Sequence, residues 1–488
     1  TAALIRALEP ERKMTMRRSL TLLAATALAA PLTMAASSLL CPKLPSGAQV
    51  RQENRFFDVR PRIVPANRES TVEIVPLHEH VQFQQGCTYE FTYAPMLSLP
   101  QHGGWAPGRK IAVVPENGRL RFTAFFEGEQ EHALVLESTC SGRKRTVGHF
   151  RVYSLEDDLY GLRPYKGDFH MHSHYSDGVE SPAYVAGACR RAGFHFMALT
   201  DHRNYAASIK AKEAFSSVAA DLRIYPGEEV HSPDNPVHIV SFGADAGITE
   251  LYRNDDAAYR KEVAALMESL PATPAGVNRF QYAACKWVGD RIRERNGLAM
   301  FCHPYWVTGN RNNVDEALLD HIFATGIFDA LELISGDSRE SMVANDINAL
   351  QVARYAEERA KGRRVAVCGI SDTHGIEHSD AFGRFFTVCF AASLDLPDLI
   401  GAVRDLRSVA VECPAGDIQR SYGPFRLVRY THFLLREVFP QHDELCFEEG
   451  RLMIQHASGD TQAAAQIAAT QGRTTAFYDR CWAPIPAR

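Results

Sequence analysis

Three scarcities in this sequence of 488 residues each narrow the field. Charge of one sign is lacking: 53 Lys and Arg against 58 Asp and Glu leave a formal net charge of -5. That excludes a chain-wide electrostatic preference for nucleic acid or anionic membrane, while leaving room for a local basic patch. The 11 cysteines include no C-x-x-C spacing, which argues against a zinc ribbon. The apolar run from Leu20 to Leu32 is too short to span a membrane comfortably. Hydrophobic content of 45% and charged content of 23% are those of a globular protein, and the length leaves room for two or three domains.

The N-terminus reads as a leader. Residues 1–13 look like an upstream extension, with Met14 or Met16 as the start. Met16-Arg17-Arg18, the apolar run and then Thr33-Met34-Ala35 follow the charged, apolar, small-residue order of a secretory signal peptide, so 1–36 is assigned to extension and signal. The tail Ser19-Leu20-Thr21 matches a twin-arginine signal only in part, and Leu40 before Cys41 speaks against a lipobox. Export implies a periplasmic or secreted protein with no stable membrane span once mature. In that setting Cys87 and Cys140 could pair, whereas Cys189, Cys302, Cys368 and Cys389 lie in apolar runs that suit buried free thiols.

Residues 50–157 read as short alternating strands, among them Thr71–Val75, Thr88–Tyr93, Arg119–Phe125 and Val147–Tyr153, separated by turns such as Ser141-Gly142. The pattern predicts an antiparallel, Ig-like β-sandwich. His78-Glu79-His80 is an isolated H-x-H with no partner motif nearby.

From 158 to 410 apolar strands alternate with helical segments, which predicts a parallel α/β arrangement. Seven strand-like runs end mostly in polar clusters. The first closes on Asp168-Phe-His170-Met-His172-Ser-His174-Tyr-Ser-Asp177-Gly178, where His170 and His172 fall on the same side if the run is extended. Later ends carry Asp201-His202, then Glu228-Glu229 and His231, then His303-Pro304-Tyr305-Trp306, then Ser335-Gly336-Asp337 and finally Ser371-Asp372-Thr373-His374. His238 lies in the fourth run. Polar residues at successive strand ends are how β/α barrels build active sites, and imidazole with carboxylate suits zinc, manganese or iron. Ser181 with Pro182 predicts a helix start, the helix running to about Arg191. Residues 244–281 read as a helical insertion placed to form a flap, and 411–488 as a mainly helical region without a readable motif.

These motifs, in this order, resemble the PHP (polymerase and histidinol phosphatase) family of metal-dependent phosphoesterases over about 166–400. The resemblance rests on Asp-x-His-x-His-x-x-x-Ser-Asp-Gly at 168–178, Thr-Asp-His at 200–202, Gly-x-Glu-Val at 227–230, His303-Pro304 and Ser-Asp-x-His at 371–374. It implies a distorted (β/α)7 barrel with two or three divalent ions at its mouth, zinc, manganese or iron. By position, His170, His172 and Asp372 would hold the first ion, and Glu229 would bridge the first to the second. His238 and His303 would complete the second. Asp177, His202 and His374 would form the third. Glu229 is preferred to Glu228 because it precedes the apolar Val230; with different local spacing Glu228 takes the role. His174, His231 and His378 fall outside the pattern.

The resemblance further implies hydrolysis of phosphate esters by a metal-activated hydroxide, with Asp372 and Glu229 as catalytic ligands. Arg203 is placed to hold a non-bridging phosphate oxygen, Tyr305 to line the substrate pocket, and Trp306 either to stack on a base or sugar or simply to pack. A small phosphate monoester is the expected substrate. Two other readings stay open: a phosphodiesterase acting on short oligonucleotides or cyclic nucleotides, and a non-catalytic metal-binding surface protein. Nucleic acid is thus a less favoured partner, since no nucleic-acid-binding module is recognisable.

Overall fold

The computed structural model describes residues 49–97, 108–308, 310–336, 344–415 and 417–484. The expected leader, Cys41 and Asp337 lie outside these residues. The described chain is a mixed α/β protein built on a curled five-strand half-barrel sheet and further sheets.

A short helix α1 (Gln52–Phe56) leads into eight strands: β1 (Phe57–Arg60), β2 (Ile63–Pro65), β3 (Arg68–Pro76), β4 (Thr88–Pro95), β5 (Arg109–Val113), β6 (Leu120–Phe126), β7 (Gln130–Cys140) and β8 (Arg143–Leu155). They form two sheets, ordered β1-β3-β6 and β2-β8-β7-β4-β5. Alternate residues are buried along β6 and β7, and Val72, Ile74 and Phe122 of one sheet share a core with Phe91, Leu134 and Phe150 of the other. Ser141 and Gly142 join β7 to β8, both with positive φ (48° and 76°), as a two-residue hairpin requires. Thr88 pairs with Thr139, so Cys87 and Cys140 are adjacent across the ladder, and the structure joins them in a disulfide. The eight other cysteines described are buried and free.

After α2 (Asp157–Tyr160) the chain enters a six-strand sheet, β11-β10-β9-β19-β20-β21, and a five-strand sheet, β12-β13-β14-β17-β18. Their strands are β9 (Arg163–Asp168), β10 (Phe196–Ala198), β11 (Arg223–Tyr225), β12 (Gly227–His231), β13 (His238–Phe242), β14 (Leu298–Phe301), β17 (Ala330–Ser335), β18 (Val367–Ile370), β19 (Phe385–Ala391), β20 (Ser408–Glu412) and β21 (Arg420–Tyr422). A small hairpin, β15 (Val307–Thr308) with β16 (Arg311–Asn312), follows β14. Helices between the strands are α3 (Pro182–Arg191), α4 (Ala206–Ala214), α5 (Thr249–Asn254), α6 (Asp256–Ser269), α7 (Arg279–Glu294), α8 (Glu316–Thr325), α9 (Ala344–Ala360) and α10 (Leu396–Arg404). Ser181 caps α3 by accepting the Tyr184 N–H at 3.2 Å, with Pro182 in its first turn.

The expectation of a parallel α/β arrangement is corrected in two ways. The third expected run, Leu222–Tyr225, corresponds to β11, and beyond Pro226, which carries no N–H, the residues expected as its polar end form a further strand; β11 pairs with β10, and β12 with β13. The pairs β12–β13 and β13–β14 are antiparallel. Only residues 232–237 connect β12 to β13, too few for the helical crossover that parallel neighbours need. As β13 runs backwards, His238 begins it and still reaches the end of the sheet where β12 finishes.

The two sheets meet at the ends that carry the motifs. Isolated parallel bridges link Met171 to Thr373 and His202 to Glu229. Between the sheets, Phe169, Phe196 and Ala198 pack with Val240, Phe242, Met300 and Ile370. On the other face of the five-strand sheet, Val230, Ile239 and Leu331 pack with Trp287 and Val288 of α7 and Leu318 of α8. The insertion joins that outer layer instead of standing as a free flap: α6 lays Tyr259 and Val263 into the same core, and Trp287 Nε1–H donates to Glu262 at 2.7 Å.

The C-terminal region adds β21 to helices α11 (Phe425–Glu437), α12 (Phe439–Ala457), α13 (Ala463–Thr470) and α14 (Arg473–Cys481). Helix α12 lies hard against α3: a Cβ on Gly450 would sit 2.0 Å from the Arg191 nitrogen. Buried ion pairs join this layer to the sheet, Lys166–Asp443 and Arg190–Glu449, each at 2.6 Å. The chain then returns to the first eight strands, where Arg62 N–H donates to Cys481 O at 2.7 Å and Ala483 N–H to Ile63 O at 3.0 Å.

Candidate metal centre

The site begins with backbone bonds that register the motifs. His172 N–H donates to Thr373 O and Asp372 N–H to His170 O, both at 3.0 Å; Glu229 N–H donates to Thr200 O at 3.0 Å and Arg203 N–H to Glu229 O at 2.8 Å. Two motif aspartates hold loops instead of facing the cluster. Asp168 accepts the His170 and Ser371 N–H groups, and Asp201 accepts those of Ser173 and Ser176 together with both serine hydroxyls. Arg203, His303 and Asp372 adopt positive φ (52°, 22° and 49°), a conformation that costs a side-chain-bearing residue about 1–3 kcal/mol and collects at functional sites.

The structure brings the nine expected ligands into one cluster, five of whose histidines surround Glu229, which has no solvent exposure. Its Oε1 lies 2.9 Å from His238 Nδ1 and 3.3 Å from His303 Nε2; its Oε2 lies 2.5 Å from His202 Nδ1, 3.3 Å from His170 Nε2 and 3.7 Å from His172 Nε2. Asp372 Oδ1 stands 3.2 Å from His170 Nε2 and 3.0 Å from His172 Nε2. Asp177 reaches His202 Nε2 at 3.3 Å and His374 Nε2 at 3.5 Å. Groups with ligand atoms close enough to share an ion include His170–His172–Glu229, His170–His303–Asp372, His172–Asp177–His202–His374 and His202–Glu229–His231.

Two partners escaped the sequence reading. Glu332 Oε2 lies 3.0 Å from His170 Nδ1, the carboxylate–histidine contact that orients a metal-ligating imidazole and leaves Nε2 free. A carboxylate inside the wholly buried strand Ala330–Ser335 was the available signal. His231, outside the expected set, stacks on His238 with centroids 3.7 Å apart and brings Nε2 to 3.3 Å from Glu229 Oε1. His174 and His378 are exposed, and the isolated His78 and His80 stack on each other away from the cluster.

The donor set fits divalent ions. Glu229 Oε2 and the His172 and His238 Nδ1 atoms are buried without a hydrogen-bond partner of acceptable geometry, despite the short contacts around them. Burial favours the neutral ring of His170, but Asp372 and Glu229 outweigh it and raise its pKa well above the ordinary imidazole value. Burial likewise opposes Glu332 and Glu229 at His303, whose pKa rises to about 9. Glu229 is held well below the carboxylate range by His170 and by bonds from His202 and His231, against its own burial. His172 and His238, chiefly through burial, fall to about 4. The buried carboxylates thus hold positive charge on His170 and His303, a role divalent ions would take over when bound.

At the rim, Arg203 is exposed and, among the described residues, its side chain has no hydrogen-bond or ion-pair partner. Tyr305 is not brought to the site. Its ring is buried in the outer core and its hydroxyl lies beside Arg354, because the turn after His303 points successive side chains apart. Trp306 takes the rim position instead, its ring 5.6 Å from that of His238 and 5.9 Å from that of His303.

No family model matches the chain. A stretch of 54 residues is 47% identical to the DNA polymerase/3′-5′ exonuclease PolX of Bacillus subtilis, covering 11% of this chain and 10% of that protein. The chain therefore spans about a tenth of the length of the curated relative it matches. Among solved structures, it is similar to a two-domain protein of Bacteroides vulgatus containing a predicted PHP-like metal-dependent phosphoesterase, at 16% identity and a TM-score of 0.35, over 52% of this chain and 66% of that one, just under two thirds. A candidate metal-dependent phosphoesterase of Bifidobacterium adolescentis (21% identity, TM-score 0.30) and an amidohydrolase of Chromobacterium violaceum with bound sulfate (16%, 0.27) each match over 43% of this chain and 87% of theirs.

Proposed function

We propose that this protein is an exported, metal-dependent phosphoesterase that hydrolyses phosphate monoesters at a trinuclear site. The observation that carries the reading is a single buried carboxylate, Glu229, with the nitrogens of His170, His202, His231, His238 and His303 at 2.5–3.3 Å. Mixed imidazole and carboxylate donors suit zinc, manganese or iron. His170, His172 and Asp372 would hold one ion, His238 and His303 a second, and Asp177, His202 and His374 a third, with Glu229 shared between the first two.

Bound ions would supply Lewis acidity toward phosphate oxygens and acidify a water to serve as nucleophile. Glu332 fixes the tautomer of His170 and keeps its Nε2 lone pair directed at the cluster. Arg203, held by its N–H on Glu229 O, is positioned to bind a non-bridging phosphate oxygen. Asp168 and Asp201 keep the two loops in register, so the donors are oriented before substrate arrives.

In the same reading the seven expected runs, β9, β10, β11, β13, β14, β17 and β18, constitute a distorted (β/α)7 barrel over 158–410, a reading supported by the bridges that join the two sheets. Residues 50–157 form an Ig-like sandwich, 411–488 a helical C-terminal region, and 1–36 an extension and export signal. The test compares a chromogenic phosphomonoester with a phosphodiester, using protein loaded separately with manganese, zinc or iron beside a chelated control. Metal-dependent turnover of the monoester supports the reading. Preference for the diester replaces it with a phosphodiesterase, and absence of turnover with every metal rejects both.

A further inference from the structure

We infer that a cavity at the end of the six-strand sheet away from the metal centre is a second binding site, and that it takes a small organic oxyanion, a carboxylate or a phosphate on an apolar or ring-shaped body. The inference is independent of the phosphoesterase reading. The motifs of the metal centre follow the last residues of β9 and β10, whereas Arg163 opens β9, His195 precedes β10 and Arg223 opens β11. These three residues line a cavity of about 350 Å³, which α14 closes with Thr475 and Tyr478. That volume lies within the range of small-molecule sites.

The lining is rich in donors that lack acceptors. Arg163 donates to the carbonyls of Leu162 and Tyr160 at 3.0 and 3.3 Å and lies 4.8 Å over the Trp482 ring, so its guanidinium is held in place. Neither Arg163 nor Arg223 has a carboxylate partner among the described residues, and the Tyr165 hydroxyl has no partner there either. His195 is 5% exposed. Its Nδ1 accepts the Lys166 N–H at 3.0 Å, and burial, with His442 and Arg190 nearby, holds its pKa well below the ordinary imidazole value. The ring is therefore neutral with its proton on Nε2, an atom buried without an acceptor. Such an orphaned donor marks a missing partner. The acids of the lining do not supply one. Asp221 accepts the Gly472 N–H at 2.8 Å and the Thr474 hydroxyl at 3.3 Å and faces Arg190 at 3.9 Å, while Asp479 stands on the exposed side of α14. Two guanidinium groups, an imidazole N–H and a phenol O–H thus share one cavity with Leu394 and Tyr478 as its apolar walls. Guanidinium forks suit carboxylate and phosphate oxygens.

The test titrates the metal-loaded full chain by calorimetry with benzoate, with phenylphosphonate and with benzamide, which keeps the shape of benzoate without its charge. Ionic strength is held constant, and the parent is compared with Arg223→Gln, Arg163→Gln and, at the metal centre, Arg203→Gln. Arg223 is exposed and partnerless, so its substitution leaves the fold intact and decides the matter even if a thermal melt shows Arg163→Gln to be unfolded. At least one anion should bind the parent about tenfold or more tightly than benzamide, and Arg223→Gln should weaken it by about tenfold or more. Arg163→Gln, where folded, should do the same, and Arg203→Gln should leave that binding component unchanged. Whichever anion loses more affinity in Arg223→Gln identifies the group as carboxylate or phosphate. Benzamide binding as tight as that of the anions, anion binding unchanged by Arg223→Gln, or no binding of either anion at about 10 mM overturns the inference. Anion binding that only Arg203→Gln weakens belongs to the metal centre and overturns it as well.

Discussion

Glu228 and Glu229 are neighbours on β12 and serve opposite faces of it. Glu229 enters the histidine cluster, while Glu228 Oε1 accepts the N–H groups of Ile248 and, at 3.1 Å, Thr249 at the start of α5. Strand alternation separates them completely, and both are fully buried. Glu229→Gln should lose bound metal without loss of fold. Glu228→Gln should keep its metal and lose about 1 kcal/mol through a weakened helix start. Metal content by mass spectrometry and a thermal melt on each variant check the division; metal loss in Glu228→Gln would reverse it.

Glu332 should act on the metal only through His170. Glu332→Gln keeps the shape of the side chain but no longer compels His170 Nδ1 to carry the proton, so affinity for the ions should fall by about 10–100-fold. Competition with a chromogenic chelator measures this directly. An unchanged affinity would mean that the 3.0 Å contact is dispensable.

The buried pair Lys166–Asp443 joins β9 of the six-strand sheet to α12. Removing one partner strands a buried charge, so Lys166→Met alone should cost about 3–5 kcal/mol. The double variant Lys166→Met with Asp443→Leu should recover most of that loss. Chemical denaturation of the three proteins checks it, and a single variant as stable as the parent would contradict the role assigned to the pair.

His132 makes the first eight strands sensitive to acid. It is fully buried between Tyr93 Oη at 2.9 Å and Ser154 Oγ at 2.7 Å, and burial lowers its pKa from 6.5 to about 4. The unfolded chain therefore binds this proton first as the pH falls. Its contribution is complete above about pH 6.5 and is lost progressively toward pH 4, up to about 3 kcal/mol. His132→Gln should flatten the pH dependence of unfolding over that window; a profile identical to the parent's would show that other groups set it.

Much of the centre was legible because its residues come in short runs. His170 and His172 sit two apart around the bridge at Met171, so spacing alone predicts a shared side, whereas Asp372, with its positive φ, is placed by its loop. The reversal of β13 was not legible, because direction within a sheet depends on connection length and on neighbours, and His238 carries the same letter either way. Glu332 looked like part of an apolar strand, since its partner is 162 residues earlier. His231 lacked a motif and is placed by the turn that follows β12. Tyr305 and Trp306 are adjacent aromatics, and which one turns inward is decided by packing against α8 and by the Arg354 guanidinium. The C-terminal helices have no motif because their work is packing, as the close approach of Gly450 to α3 shows.

The most direct test is turnover of a phosphomonoester by manganese-loaded parent protein and Glu229→Gln, each before and after chelation. The account predicts activity in the parent that chelation abolishes and manganese restores, and a loss of more than about 100-fold in the variant. Hydrolysis that survives chelation, or that persists at the parent rate in Glu229→Gln, would contradict it.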